Sequence, residues 1–205
     1  RERAADETLF HEYVHHFMYQ YFPAAYPVWY SEGYPEFWST IRFLEDNVVE
    51  IGHPEEGRIR SFVQGMNRWV PLRQLMVARS YGDIPEPDLI YAQGWLLARY
   101  MFENAERRGQ IQAYLNAINQ GMSYEEALST HIPDIGRLND ELFGYSTRGR
   151  FNIIRLPFRT IDVGTIPVRV ADHEVGTDPA EEYVVAFVPL VPVVAGHAFH
   201  QVVLR

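Results

Sequence analysis

The residues able to do chemistry come early in the chain. His11-Glu12-Tyr13-Val14-His15 sets two imidazoles four positions apart. At 3.6 residues per turn they share one helix face and can reach one metal ion. Glu12 lies between them and projects beside the same ion, where it can take a proton from a water made acidic there. HExxH on a helix is the zinc-hydrolase pattern, and such sites keep three protein ligands with one position open. Glu32, in Trp29-Tyr30-Ser31-Glu32-Gly33, is the expected third ligand. Its segment can fold back antiparallel to the first helix, with Pro23 and Pro27 in the reversal. Two neutral imidazoles and one carboxylate leave a net positive centre, which draws the pKa of bound water towards about 7. Glu36 lies one turn beyond Glu32. It either accepts a hydrogen bond from the far nitrogen of a ligand histidine, fixing its tautomer, or is a solvated acid of the helix's first turn.

These groups must be carried by helices. Asp6 is a plausible N-cap for a helix to about Tyr21, with an apolar stripe through Leu9, Tyr13 and Phe17. A second helix is expected from Val28 to about Leu44, with Trp29 as a core anchor. Further helices are predicted at Ile59–Trp69, Leu72–Arg79, Leu89–Arg107, Ile111–Gln120 and Ile135–Phe143. Gly121 stops one of them, and the Ser123/Glu126 capping box starts the next. His16 sits about 100° around the helix from His15 and is read as packing or surface. His53 and His131 stand alone in loop-like contexts, and His197 and His200 point to opposite faces of a strand.

Composition shifts after Tyr145. Thr147-Arg148-Gly149-Arg150 resembles a linker, followed by segments rich in Val, Ile and Phe: Phe151–Leu156, Ile161–Val170, Tyr183–Pro189 and Ala198–Leu204. They read as short strands. The expected organisation is α+β: a mainly helical region over residues 1–146 and a small β-rich annex over 147–205. Arg148, Arg150, Arg155 and Arg159 are read as solvating the linker and strands.

The 205 residues are 47% hydrophobic and carry a net charge of −9. That is a folded chain with a sizeable core. It has no basic block suited to nucleic acid or an anionic membrane. With no cysteine, disulfides and thiolate metal sites are excluded. No stretch approaches the roughly 20 apolar residues of a membrane span. The opening Arg1-Glu2-Arg3 lacks an initiator Met, as expected of a piece of a longer precursor, with an extracytoplasmic location slightly favoured.

The run Leu9–His16 followed by Pro27–Phe37 resembles the gluzincin zinc metallopeptidases, in particular the bacterial "peptidase MA-like" group with HExxH and then W-x-x-E-G-x-A-E. The resemblance implies one zinc ion held by His11, His15 and Glu32, a peptide or protein substrate, and Glu12 as general base. The family's Y-x-x-G motif, opening a helix, is similar to Tyr91-Ala92-Gln93-Gly94 and selects Tyr91 as the residue that stabilises the oxyanion. Tyr114 through Gly121 to Ala127 resembles the end of such catalytic domains, so the likeness spans about residues 8–145. Two departures stand out. Pro35 replaces a small residue and is expected either to kink the second helix or to begin its regular part, displacing Glu32 and above all Glu36. The sheet that normally precedes HExxH has no room in the ten residues before His11, and the aminopeptidase G-x-M-E-N strand is absent. Two other classes compete: a catalytically idle peptide-binding or assembly module that keeps the zincin fold, and a non-peptide hydrolase using the same zinc.

Overall fold

The computed structural model describes residues 2–21, 24–44, 48–54, 68–148 and 151–157, with side chains from residue 7 onward. Its elements in chain order are α1 (Glu2–Tyr21), α2 (Val28–Ser39), β1 (Arg42–Leu44), β2 (Val48–Ile51), α3 (Leu72–Val77), a 3₁₀ turn (Tyr81–Asp83), α4 (Asp88–Glu103), α5 (Ala105–Asn119), α6 (Tyr124–His131), α7 (Ile135–Thr147) and β3 (Ile154–Pro157). The architecture is mainly helical with a three-stranded antiparallel sheet in the order β1-β2-β3, α+β at this level. Among the described residues no helix is long and apolar enough to cross a membrane.

α4 is the central helix. Leu89, Ile90, Trp95, Leu96, Leu97 and Met101 bury its apolar side, and even Gln93 is fully enclosed. A buried amide must find partners. Gln93 does so by accepting from Val70 N at 2.8 Å and donating to Val70 O at 3.0 Å. Trp29, 0% exposed, is the core anchor expected of it. α2 and α4 meet backbone to backbone. A Cβ built on Gly33 would lie 2.2 Å from Gly94 C, and one on Gly94 would lie 2.6 Å from Trp29 O. Only glycine permits this approach.

Several boundaries differ from the sequence expectation. α1 begins at Glu2, before Asp6. Its inward stripe runs through His11, Val14, His15, Phe17 and Met18, so Phe17 faces inward as expected while Leu9 is 62% exposed. α2 ends at Ser39, five residues early: the Ser39 and Thr40 hydroxyls donate to the carbonyls of Glu36 and Phe37, and Arg42–Leu44 pairs with Val48–Glu50. Pro35 lies inside a helix that stays continuous from Val28 to Ser39. The helix expected over Leu89–Arg107 is two. Asn104 leaves helical geometry (φ −117°, ψ 104°) and caps α5 by accepting from Arg107 N. Gly121, at φ +94°, follows α5, and Ser123 caps α6 through Glu126 N, both as the sequence indicates. α7 runs on to Thr147.

β3, expected as the first strand of the annex, pairs with β2, with Leu156 opposite Val49. Arg99 of α4 ties that sheet to the helices. Its guanidinium, 1% exposed, donates to Gly52 O, Asn152 O and the Tyr145 hydroxyl and pairs with Glu103. The Ile59–Trp69 helix lies largely outside the described residues. So do the three later strands, His197, His200, Arg150 and Arg159.

Candidate metal centre

α1 and α2 bring His11, His15 and Glu32 together. Histidines four apart on α1 aim their Nε2 atoms at one point, 3.0 Å from each other. Glu32, on the first turn and a half of α2, puts Oε2 3.4 Å from His11 Nε2 and 3.5 Å from His15 Nε2. Despite Pro35, Glu32 is not displaced, and Glu36 Oε1 lies 3.3 Å from His11 Nδ1, on the far side of the same imidazole. Both acids are buried, at 7% and 5% exposure.

A single proton can serve only one side of the contact between two Nε2 atoms, whereas a cation accepts both lone pairs and the carboxylate oxygen together. The donor set of two imidazoles and one carboxylate suits a divalent ion of borderline softness. His11, His15 and Glu32 form such a group, their donor atoms all within 4.8 Å of one another.

The electrostatics follow from this packing. Burial works against a charged His11, but hydrogen bonds and charge from Glu32 and Glu36 outweigh it and raise its pKa to about 9. For Glu32, burial favours the neutral acid, but hydrogen bonds from His11, His15 and Tyr81 prevail and hold the carboxyl well below the usual range. The Tyr19 ring lies parallel to that of His15, 6.1 Å between centroids, and its hydroxyl meets Ser31 Oγ at 3.0 Å. These contacts link the His15 end of α1 to α2.

Glu12 follows His11 on α1 with its side chain exposed to solvent. Tyr91, in the first turn of α4, has its ring 6.5 Å from that of His11. The Gly33–Gly94 contact explains this: Glu32 precedes one glycine and Tyr91 lies a turn before the other, so the close crossing draws both towards the histidines. His16 is exposed, and His131 closes α6. His53 is not isolated: it is buried, with Nε2 2.7 Å from Glu50 Oε2, while Arg155 donates to the other oxygen of Glu50.

Tyr81 is the site residue the sequence reading missed. Its hydroxyl donates to Glu32 Oε1 at 2.6 Å and accepts from Tyr91 at 3.4 Å. Burial and the adjacent Glu32 push its phenol pKa upward. The available signal was Ser80-x-x-Asp83, a capping box on a single 3₁₀ turn. Asp83 Oδ2 accepts from the backbone of Arg79 and Ser80 at 2.8 and 2.9 Å, which fixes the turn carrying Tyr81. A cavity of about 860 Å³ has Phe17, Tyr30, Tyr34, Trp38, Phe102 and Arg108 among its walls, and none of the cluster residues lines it.

Compared with protein-family models, curated proteins and solved structures, the chain finds no match.

Proposed function

We propose that this chain is a zinc-dependent peptide-bond hydrolase of gluzincin type. One observation carries the reading: the edges of the His11, His15 and Glu32 donor triangle measure 3.0, 3.4 and 3.5 Å. Zinc bonds of about 2.0–2.1 Å at a tetrahedral angle separate neighbouring ligand atoms by roughly 3.3 Å. When bound, zinc would supply Lewis acidity, making water a nucleophile near neutral pH and polarising the substrate carbonyl. Glu36, facing His11 Nδ1, keeps that proton on the far nitrogen and leaves Nε2 as the donor atom. Glu12 takes the proton of the attacking water and returns it to the leaving amine. The Tyr91 hydroxyl donates to the carbonyl oxygen as negative charge develops on it.

The test is metal analysis with peptide hydrolysis in wild type and Glu12→Gln. Expected are about one zinc per chain in both, and hydrolysis lowered by about 10²-fold or more in the variant. Undiminished hydrolysis in Glu12→Gln removes the mechanism, and a wild-type chain that takes up no zinc removes the reading.

A further inference from the structure

Glu32 presents its two carboxylate oxygens to different partners. Oε2 faces both histidines at 3.4 and 3.5 Å. Oε1 is taken by the Tyr81 hydroxyl at 2.6 Å, a short hydrogen bond of the charge-assisted kind. We propose that Tyr81 is a positioning residue that reserves Oε1, so that Glu32 offers one oxygen to the metal and the fourth coordination position stays open. This rests on the metal-centre reading above and adds a device to it.

The geometry explains why such a device is useful. A carboxylate beside a cation can bind through one oxygen or both, and the second oxygen would take the position that water needs. An outer hydrogen bond to that oxygen decides between the two. Tyr81 reaches it from outside α1 and α2, on a turn with its own internal support. Asp83 fixes the backbone of Arg79 and Ser80, and Gln74 Nε2 donates to Asp83 O at 3.2 Å. Tyr81 also stacks on Tyr91, with centroids 6.1 Å apart and planes 21° from parallel, and accepts that hydroxyl at 3.4 Å. Tyr91 therefore has a resting partner that it can leave when a carbonyl arrives, while the bond from Tyr81 to Glu32 is kept.

Zinc affinity by chelator competition, together with the visible spectrum of the cobalt(II)-substituted protein, tests this in wild type, Tyr81→Phe and Asp83→Asn. Tyr81→Phe keeps the ring and removes the hydroxyl. Its zinc affinity should fall about 10–100-fold. Its cobalt absorption should shift in position and intensity as Glu32 closes on the ion with both oxygens in place of water. Asp83→Asn, which loosens the turn without touching Glu32, should shift both readouts the same way to a smaller extent, and it stands as the test if Tyr81→Phe does not fold. A variant that binds zinc within twofold of wild type with an unchanged cobalt spectrum overturns the proposal and leaves the metal centre standing. A wild-type chain that binds neither ion removes both.

Discussion

Substituting Gly33 by alanine should separate α2 from α4 and damage the proposed metal centre from a distance. A Cβ there would lie 2.2 Å from Gly94 C and 2.3 Å from Gly94 O. These are backbone atoms, with no rotamer to yield. Ordinary contact begins at 3.4 Å, so the helices must part by at least about 1.2 Å. Overpacking of this kind costs about 1–3 kcal/mol, sometimes more. Alanine's better helix propensity returns about 1 kcal/mol. The collision is with main chain and at the severe end, so a net loss of about 2 kcal/mol is expected. In a chain of this size that lowers the melting temperature by roughly 4–8 °C. Gly109 supplies the control. It lies inside α5, and an added Cβ meets nothing within 4 Å. Gly109→Ala should therefore gain up to about 1 kcal/mol. Both variants are measured by thermal and denaturant unfolding. Binding constellations tolerate about 0.5 Å of misplacement, so Gly33→Ala should also weaken zinc binding at least tenfold, while Gly109→Ala leaves it alone. A Gly33→Ala protein as stable as wild type would refute the reasoning about the crossing.

Two further predictions concern the site. His11 in the metal-free protein has its pKa raised from 6.5 to about 9. The stabilisation linked to its proton is therefore complete below pH 6.5 and lost as pH rises through 9. Metal-free stability should decline over that window, by at most about 3 kcal/mol, and the decline should vanish in His11→Gln. On the proposed function, zinc must displace that proton by the same linkage. Apparent affinity should rise up to tenfold per pH unit towards pH 9, with proton release measurable in weakly buffered titrations. On the proposed mechanism, Tyr91→Phe should lower kcat about 10²-fold with little change in KM. Unaltered kcat in steady-state peptide assays would take Tyr91 out of the chemistry.

The clustering of His11, His15 and Glu32 is legible because its parts are local: a four-residue spacing on one helix and a Glu-Gly pair on the next. Tyr91 was reachable only by resemblance, although the physical cause, Gly94 against Gly33, lies in the same two short motifs. Tyr81 was not legible. Its link to Glu32 spans 49 residues and depends on how a 3₁₀ turn docks, which no periodicity records. The apolar pattern continues through Ile41, Phe43 and Leu44 and so points to a longer second helix, whereas the Ser39 and Thr40 hydroxyls and the pairing with β2 end it. Over Leu89–Arg107 the apolar positions run past Asn104 and suggest one helix, but the side-chain cap on Arg107 N starts a new axis there. His53 stands alone in the sequence because its partner Glu50 lies on a short strand that no alternating pattern marks.

The buried guanidinium of Arg99 has a consequence for the whole molecule. Arginine keeps its charge across the accessible pH range. The junction it makes between helix and sheet, through Gly52, Asn152 and Tyr145, is therefore indifferent to alkali, whereas the imidazole of His11 surrenders its proton. A mildly basic solution would thus alter the ionic character around His11, His15 and Glu32 while leaving this one joint between helix and sheet intact.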